Sequence, residues 1–480
     1  MIQKSGIFLL IFLLSIIIPG SCKQEKPAKP NIIFIFADDQ SYHTIHTHGN
    51  SEIRTPNLDK LAAEGVTFTH AYNMGAWHGA VCVASRTMIN TGRFLWRAEE
   101  SEKMLDQMAD QGMMWSQLMQ QAGYDTYFSG KWHVAIKPER IFNHVVHVRP
   151  GMPNTVPEAY NRPHEGQIDD WSPSDTTIGG FWEGGKHWSE VLADDAIAFI
   201  DSASKKEEPF FMYLAFNAPH DPRQSPEEYV EMYPLKNINV PESFVTEYPF
   251  KDDIGCDEKL RDERLAPFPR TEYAVKVHRQ EYYAIITHMD TQLGRVLDAI
   301  EKSGKGKNTY IFFSADHGLA CGNHGLMGKQ NMYDHSMRPP LLITGPGIPA
   351  GKQLDMNVYL QDIMATAIEI SGLEKPEYVE FNSLLPYIKG EMDQSAYSSV
   401  YGAYMNLQRM IRDDHYKLIL YPHAEKILLY DLMNDPLELN DLSSDPLKQE
   451  LIREMFARLE VLGEQMGDTL KLRNFFPDLE

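Results

Sequence analysis

The sequence predicts an α/β protein with a large central mixed, mostly parallel sheet covered by helices on both faces. Two observations predict this fold: apolar runs of strand length recur along the chain, and segments with helical spacing of apolar residues lie between them. The runs are continuously apolar, which is typical of parallel strands buried on both sides. Beyond residue 371, short strands separated by turns predict a smaller C-terminal α+β subdomain containing an antiparallel sheet.

The first part of the chain alternates strands with helices. An uninterrupted apolar run predicts the first strand over residues 31–36. A helix is predicted over 55–65, because Thr55 and Pro56 are typical of a helix start and Gly65 of a helix end. By the same criteria we expect strands over 66–72 and 124–128 and helices over 84–91 and 105–123.

Long connections rich in Pro, Gly and charged residues interrupt the middle of the chain. Residues 138–185 and 221–270 are predicted to be loops, of the kind that often shape a substrate pocket. Between and after them we expect strands over 209–216, 309–314 and 339–345 and helices over 189–203 and 272–303. In the C-terminal subdomain we expect strands over 400–404, 408–413, 416–421 and 426–430 and a helix over 446–466.

The N-terminal residues are typical of an export signal. Lys4 precedes an apolar run over residues 7–18, which is too short to favour a membrane span, and small residues precede Cys22. We expect lipidation of Cys22, and thus a periplasmic or cell-surface lipoprotein of a bacterium, with plain secretion as the alternative. The expected division is a signal over 1–22, a linker over 23–30, a catalytic domain over 31–371 and the C-terminal subdomain over 372–480.

Charge and cysteine content narrow the class of protein. The 480-residue chain has a formal net charge of −22, which argues against a nucleic-acid partner and requires a local cationic pocket for any anionic substrate. With only 4 cysteines this is no disulfide-framework protein. Cys256 and Cys321 could pair or stay free.

Polar side chains follow four of the predicted strands, where the strands end. Because ligand sites in such sheets lie beyond the carboxyl ends of the strands, we expect these side chains to share one site. They are Asp38 and Asp39, Lys131 and His133, His220, and Asp316 and His317. A solvated turn is the alternative for the Asp pair taken alone. Carboxylates from two strands favour calcium or magnesium over zinc, although an imidazole would also admit zinc or manganese.

A lone cysteine before a predicted helix is the candidate nucleophile. Cys82-Val-Ala-Ser-Arg86 is followed by Thr91-Gly-Arg93, and the predicted helix over 84–91 would direct its free N–H groups and positive dipole end toward Cys82. Such a helix start attracts an anion. A small buried core residue is the alternative for a free cysteine.

The Cys-x-Ala-Ser-Arg pattern, with Thr-Gly-Arg five residues later, resembles the signature of type I sulfatases. Residues 429–436 and 440–442 also resemble the C-terminal subdomain of that family. The resemblance implies an alkaline-phosphatase-like fold and oxidation of Cys82 to formylglycine, an aldehyde whose hydrate is the nucleophile. Ala84 stands where substrates of the aerobic modifying enzyme usually carry Pro, so we expect a radical, formylglycine-generating maturase of an anaerobic bacterium as a partner.

The resemblance further implies which residues form the site. The metal ligands would be Asp38, Asp39, Cys82, Asp316 and His317, and the catalytic residues Cys82, Arg86, Lys131, His133, His220 and Lys329. One Ca²⁺ per chain is expected, ahead of Mg²⁺ or another divalent ion. Cationic side chains would neutralise the sulfate, His220 or Lys329 would donate a proton to the leaving oxygen, and His133 would accept the proton whose loss expels sulfate.

We therefore expect a sulfatase that hydrolyses sulfate monoesters, with a sulfated saccharide as substrate. One alternative is a phosphomonoester or phosphonate hydrolase on the same scaffold. Another, from a different class, is a non-catalytic glycan-binding protein of the cell surface. The aromatic side chains of Trp171, Trp182 and Trp188 could stack on sugars, although packing is the favoured role for each.

Overall fold

The computed structural model describes Ile2 and residues 28–479. The predicted signal over 1–22 with its Cys22, and most of the linker over 23–30, lie outside the described residues. Among the helices that the structure describes, none has the length and apolar character to cross a membrane.

Strands and helices alternate along the first part of the chain, and short strands dominate its end. Numbered in chain order, the strands are β1 Asn31–Ala37, β2 Val66–Tyr72, β3 Gly75–Ala76, β4 Asp125–Lys131, β5 His144–Arg149, β6 Trp182–Glu183, β7 Lys186–His187, β8 Phe210–Ala215, β9 Thr309–Ala315, β10 Leu341–Thr344, β11 Lys352–Tyr359, β12 Val400–Tyr404, β13 Gln408–Arg412, β14 Tyr416–Tyr421 and β15 Lys426–Asp431. The α-helices are α1 Pro56–Glu64, α2 Val81–Thr91, α3 Leu95–Glu102, α4 Leu105–Asp110, α5 Trp115–Gln121, α6 Trp188–Ala203, α7 Glu227–Glu231, α8 Glu272–Lys302, α9 Asp334–Met337, α10 Asp362–Ser371, α11 Leu385–Ile388 and α12 Gln449–Met466.

The main sheet has eight strands in the order β11-β2-β10-β9-β1-β8-β4-β5. Its neighbouring strands run parallel except where β10 pairs with β2 and β9. This arrangement confirms the predicted mixed, mostly parallel sheet. The continuous apolar runs arise because both faces of the central strands are covered: every residue of β1 and β8 is buried.

Helices cover the two faces of the sheet, and alternate residues of β1 enter two separate cores. Ile33 and Ile35 pack in the core that contains apolar side chains of α1, α6 and α8. Ile32, Phe34 and Phe36 pack in the opposite core, with side chains of α2, α5 and α10. This second core continues into the C-terminal sheet and α12, so the C-terminal subdomain shares a hydrophobic core with the main sheet.

The C-terminal sheet contains a strand from the front of the chain. Its order is β15-β14-β13-β12-β3, and β3 pairs in parallel with the end of β12 through Gly75 and Ala76. Gly75 has φ +91, and a Cβ there would lie 1.9 Å from the carbonyl oxygen of Ala403. Only glycine allows this approach. The segment directly before α2 is thereby joined to the C-terminal subdomain.

Two helix predictions were wrong in their bounds. The helix predicted over 84–91 begins at Val81, so Cys82 lies inside its first turn. Because Val81 and Val83 are β-branched and weak helix formers, the pattern pointed to a later start. Residues 105–123 form α4 and α5 instead of one helix, with Gly112 at φ +72 in the connection.

The loop predictions were also too broad. β5 and β6 fall within 138–185, α7 falls within 221–270, and α3, α10 and β11 were not predicted. β5 is an edge strand with half-exposed and exposed side chains, so it lacks the apolar run of a central strand. Cys256 and Cys321 are free and buried.

Candidate active site

The carboxyl ends of four adjacent strands bring the predicted polar residues together. β9, β1, β8 and β4 are consecutive in the main sheet and mutually parallel. Asp316 and Asp38 directly follow β9 and β1, Lys131 ends β4, and His220 lies a few residues beyond β8. Since parallel strands end at the same edge, these side chains meet there.

Five side chains at this edge form a compact group of potential metal ligands. One ligand atom of each lies within 4.8 Å of those of the other four, the residues being Asp38, Asp39, Cys82, Asp316 and His317. No member is more than 2% exposed. The structure thus brings together every residue that the sequence predicts as a metal ligand.

Hydrogen bonds orient the carboxylates. Asp39 has a left-handed φ of 67°, and its backbone N–H donates to Oδ1 of Asp316 at 3.1 Å. The Tyr282 hydroxyl donates to the carbonyl oxygen of Asp39 at 2.5 Å. Oδ2 of Asp316 accepts from Nε of Arg86 at 3.0 Å. The carboxylate of Asp316 and the backbone of Asp39 are therefore held by partners from other segments of the chain.

His317 presents Nε2 to the ligand group. Its Nδ1 lies 2.9 Å from the carbonyl oxygen of Gly318, which can only accept, so Nδ1 carries the proton. Nε2 lies 3.2 Å from Oδ1 of Asp39 and 3.5 Å from Sγ of Cys82. Burial acts to lower the pKa of His317, but the charges of Asp316 and Asp39 outweigh it and raise the pKa above its ordinary value. A backbone partner on the far nitrogen is the usual way in which a ligating imidazole is oriented.

The donor set fits a hard divalent cation. Oδ1 of Asp38 is buried and has no hydrogen-bond partner. Burial, aided by the negative charges of Asp316 and Cys82, raises the pKa of Asp38 well above its ordinary value. A cation would satisfy the unpaired oxygen and offset the crowded negative charge, and carboxylate oxygens with one imidazole suit such an ion.

Cys82 faces both the ligand group and a cavity of about 520 Å³. Its Sγ lies 3.4 Å from Nζ of Lys329 and 3.9 Å from Oδ1 of Asp39. Burial acts to raise the pKa of the thiol, but the charges of Lys131 and Lys329 outweigh it, so the pKa is well below its ordinary value. A reactive group at residue 82 is thus well placed to react with an anion bound at the start of α2.

Two of the predicted cationic residues lie behind the ligand group. The side chains of Arg86 and Lys131 are 0% exposed, and Nζ of Lys131 donates to Oδ2 of Asp38. Nη1 of Arg86 donates to the carbonyl oxygen of Lys131 at 2.8 Å, and its guanidinium lies 4.8 Å from the centre of the Phe36 ring. Lys329 instead lines the cavity, with Nζ at 2.8 and 2.7 Å from the two carboxylate oxygens of Asp39.

The two predicted histidines also line the cavity. Nδ1 of His220 donates to the carbonyl oxygen of Asp221 at 2.7 Å. Nε2 therefore faces Asp39 and lies 3.8 Å from its Oδ2. The His133 imidazole packs against Gly151, where an added Cβ would lie 2.3 to 2.6 Å from ring atoms. Burial lowers the pKa of His133 below its ordinary value.

Sequence reasoning missed three site residues in the long connection over 221–270. Arg261 and Asp262 line the cavity, and Glu263 is 0% exposed beneath it. The Glu263 carboxylate accepts from the backbone N–H groups of Met327 and Gly328, at 3.0 and 2.8 Å, and thereby holds the turn before Lys329. The only signal in the sequence was a run of alternating charges, a pattern that is also typical of solvated loops.

Comparison with known proteins identifies related chains. A family model for the sulfatase domain matches residues 30–373, and a model for the C-terminal domain of N-sulphoglucosamine sulphohydrolase matches residues 322–465. An N-acetylglucosamine-6-O-sulfatase of Bacteroides thetaiotaomicron is 27% identical over 545 aligned residues, which cover 97% of this chain and 92% of the relative.

Two solved structures share the fold. A protein in complex with its substrate D-glucosamine-2-N,6-O-disulfate has a TM-score of 0.71 and 24% identity, over 92% of this chain and 99% of that one. The phosphonate monoester hydrolase of Agrobacterium radiobacter has a TM-score of 0.71 and 20% identity, over 91% and 96% of the two chains. Because the sulfatase model covers most of the sequence, this chain belongs to the sulfatase family of sulfuric ester hydrolases.

Proposed function

We propose that the protein removes a sulfate monoester from a carbohydrate, with formylglycine formed from Cys82 as the nucleophile and Ca²⁺ as the metal. The observation that carries the proposal is the position of Cys82, whose Sγ faces the cavity while lying within ligand distance of Asp39 and His317. A carbohydrate substrate is supported by the N-acetylglucosamine-6-O-sulfatase relative and by the cavity of about 520 Å³ beside Cys82.

Calcium is the proposed ion because the three carboxylates of the ligand group are hard oxygen donors. The proposed ligands are Asp38, Asp39, residue 82, Asp316 and His317. Inductively coupled plasma mass spectrometry of protein purified without added metal should find about one calcium per chain. Removal of metal with a chelator should abolish turnover, and calcium should restore it more fully than magnesium or zinc. Zinc or manganese in stoichiometric amount, with calcium unable to restore turnover, would contradict the assignment.

The proposed chemistry divides the work among a few side chains. The hydrate of formylglycine would supply a hydroxyl nucleophile, and a cation held by the ligand group would neutralise charge on the sulfate oxygens. Lys329 adds a positive charge beside the position of Cys82 and helps to hold sulfur in line for attack. His220, protonated at both ring nitrogens and held by the Asp221 carbonyl oxygen through Nδ1–H, would deliver a proton from Nε2 to the sugar oxygen as the ester S–O bond breaks. His133 would accept the proton of the remaining hydroxyl as the C–O bond to sulfate breaks and the aldehyde re-forms. A water molecule then hydrates the aldehyde, so the overall reaction adds one water across the ester bond.

Arg86 and Lys131 are proposed to act by positioning the metal ligands, without contacting the substrate. Their contacts with Asp316, Asp38 and each other hold the carboxylates of the ligand group, while neither side chain is exposed. Arg86 and Lys131 were both expected to neutralise the sulfate directly. The proposal here makes both of them positioning residues.

Mass spectrometry and sulfate release together test the function. Protein from its native host should carry formylglycine at position 82 and release sulfate from some members of a panel of monosulfated saccharides, whereas Cys82→Ala should release none. An aryl sulfate and the matching aryl phosphate, assayed side by side, separate a sulfatase from a phosphate or phosphonate hydrolase. The proposal fails if an active preparation carries an unmodified Cys82, or if phosphate is the preferred ester. Modified, metal-loaded protein that binds the saccharides without releasing sulfate would indicate a glycan-binding protein.

Maturation and export are part of the same proposal. Ala84 supports a radical maturase, so expression with an anaerobic maturase should give more formylglycine than expression with the aerobic enzyme, as read by the same mass spectrum. Labelling with a fatty-acid analogue should tag the protein through Cys22, and Cys22→Ser should release it from membranes. Soluble wild-type protein without label would instead indicate plain secretion.

A further inference from the structure

One buried amide in the cavity wall joins three segments of the active site. The side chain of Gln330 lines the cavity, and the residue is 2% exposed. Its Oε1 accepts from the backbone N–H of Lys329 at 3.0 Å. Its Nε2 donates to the carbonyl oxygen of Gly79 at 3.0 Å and to Oδ2 of Asp262 at 2.8 Å. The amide therefore links the lysine, the segment directly before α2 and the long connection over 221–270.

These contacts fix the orientation of the amide and use both of its hydrogens. The carbonyl oxygen of Gly79 can only accept and the backbone N–H of Lys329 can only donate, so Nε2 and Oε1 cannot exchange places. The two hydrogens on Nε2 are engaged by Gly79 and Asp262, so none remains for a substrate. The Gln330 side chain is thus suited to holding other groups of the protein in place.

The backbone of Gln330 is held in turn by the C-terminal subdomain. Its carbonyl oxygen accepts from Nε2 of Gln408 at 2.7 Å and from Sγ of Cys256 at 3.2 Å. Gln408 begins β13, is 0% exposed and also donates from Nε2 to the carbonyl oxygen of Ile254 at 3.0 Å. The residue that directly follows Lys329 is therefore anchored both through its side chain and through its main chain.

Close packing leaves the amide no other position over the turn. A Cβ added at Gly328 would lie 2.6 Å from Oε1 of Gln330, so the amide oxygen rests against a bare stretch of backbone. Glu263 holds the residues before the lysine, through the N–H groups of Met327 and Gly328. The amide of Gln330 holds the N–H group of the lysine itself.

The position of the Lys329 ammonium depends on this anchored backbone. Nζ lies 3.4 Å from Sγ of Cys82 and 2.8 Å from Oδ1 of Asp39. Gly79, the other partner of the amide, precedes Cys82 by only three residues, so the same side chain fixes the backbone on both sides of this contact. The amide is uncharged, so it sets the distance without changing the charge balance around the ammonium.

We infer that Gln330 is a positioning residue, which holds Lys329 at the distance from residue 82 at which its ammonium can neutralise a sulfate under attack. Gln408 secures this arrangement from the C-terminal subdomain. The inference rests on the proposed function, because the sulfate on which Lys329 acts is that of the proposed substrate.

Gln330→Met tests the inference, since it keeps the length of the side chain and removes its three hydrogen bonds. We expect kcat for an aryl sulfate to fall by about 100-fold, the usual cost of a misplacement near 1 Å. KM should change much less, because the ligand group proposed to bind the sulfate is untouched. Gln408→Ala should lower kcat to a smaller extent, because Cys256 still donates to the carbonyl oxygen. Rates are expressed per formylglycine, as measured by mass spectrometry.

Gln117→Met is the matched control outside the cavity. The Gln117 side chain also hydrogen-bonds two backbone groups, the carbonyl oxygen of Ala109 and the N–H of Met114, and it joins α4 to α5. Its loss should leave kcat near normal in folded protein, as judged by circular dichroism and thermal melts. A near-normal kcat in folded Gln330→Met, or equal losses in the two variants, would overturn the inference.

An exchange of partners separates positioning from a general loss of stability. Gln330→Glu places two carboxylates against each other, and Asp262→Asn in the same chain supplies a donor for the new carboxylate and restores the net charge. The double variant should recover part of the kcat that Gln330→Glu loses, although Asp262→Asn alone should not raise kcat. No gain in the double variant would contradict the role of the amide.

Crystal structures separate the two proposals. In Gln330→Met the side chain of Lys329 should lie farther from residue 82 than in wild type, whether or not either protein is active. An unchanged position of Lys329 would overturn the inference and leave the proposed function standing. Wild-type protein that carries formylglycine but releases sulfate from no substrate would overturn the proposed function itself.

Discussion

His133 owes its position to the absence of a side chain at Gly151. The imidazole occupies the space that a Cβ at that residue would need, within 2.6 Å of three ring atoms. Its backbone φ of 54° is also left-handed, which only a well-supported loop imposes on a residue other than glycine. Its place just after a predicted strand marked this histidine in the sequence, whereas Gly151 was indistinguishable from other glycines in a loop.

Gly151→Ala should therefore displace the imidazole and reduce kcat by about 100-fold, the usual cost of a misplacement near 1 Å. Gly306→Ala is a matched control, because its added Cβ would make only ordinary contacts at 3.7 Å. Steady-state kinetics on an aryl sulfate checks the prediction. A normal kcat in Gly151→Ala would show that His133 is not needed for turnover, or that the loop of residue 151 moves aside and leaves the imidazole in place.

Arg86 is the residue on which the burial of the carboxylates depends. Arg86→Ala leaves Asp316 without its charged partner, so we expect a loss of about 3–5 kcal/mol in the free energy of unfolding, together with loss of turnover. Arg86→Lys should restore part of the stability but little activity, because an ammonium cannot bridge Asp316 and the Lys131 carbonyl as a guanidinium fork does.

Arg409→Ala is the control for Arg86, since it breaks another buried pair, with Asp468, in the C-terminal subdomain. It should cost comparable stability in denaturant unfolding while the folded protein keeps its turnover. Equal activity losses in the two variants would mean that the effect of Arg86→Ala is only one of stability.

At the scale of elements, the turn before Lys329 depends on a carboxylate from a distant connection. Glu263 accepts the N–H groups of Met327 and Gly328 and pairs with Arg270. The resemblance to the sulfatase family predicted that Lys329 belongs to the site. It carried no information about which segment holds the turn, because that contact joins residues far apart in sequence.

Glu263→Gln should weaken the turn, since one amide oxygen replaces two carboxylate oxygens that serve three donors. We expect kcat to fall by about tenfold or more as Lys329 loses its fixed position. Glu281→Gln, which alters the buried pair with Arg162, is the matched control and should leave kcat near normal. If both variants lower kcat equally, the role assigned to the Glu263 carboxylate is wrong.

The elements that could be predicted are those whose sequence pattern directly reflects which of their faces are buried. The central strands have apolar side chains on both faces because both faces are buried, so the runs over β1, β8 and β9 were visible. The edge strand β5 and the two-residue β3 exist through pairing with other segments, and their own sequences carry little signal. The candidate site could be predicted where it lies at strand ends, and was missed where long connections fold over it.

For the whole molecule, stability should depend on pH through Asp362 at the start of α10. Its carboxylate is buried and accepts from Tyr397 Oη at 2.7 Å and from the backbone N–H groups of Tyr359 and Asn382 at 3.0 and 2.9 Å. Burial raises the pKa of Asp362 from 3.8 to about 7. The folded protein therefore holds a proton there that the unfolded chain releases above about pH 4.

Because the folded pKa is the higher one, the stabilisation is complete below about pH 4 and is lost as the pH rises to about 7, at up to about 1.4 kcal/mol per pH unit. Asp362→Asn should flatten this part of the curve, whereas Asp201→Asn, on an exposed side chain, should not. Denaturant unfolding between pH 4.5 and 7 measures the difference from wild type. The same slope in Asp362→Asn and wild type would exclude Asp362 as its source.

The pairing of β3 with β12 has a consequence for when the chain can be modified. The ribosome must synthesise nearly the whole protein before Gly75 and Ala76 can pair with β12. Until then, the segment that leads into Cys82 lacks this pairing. In the folded protein Cys82 is only 2% exposed, which is too little for another enzyme to bind the residues around it. The oxidation proposed for Cys82 would therefore have to take place before β12 pairs with β3.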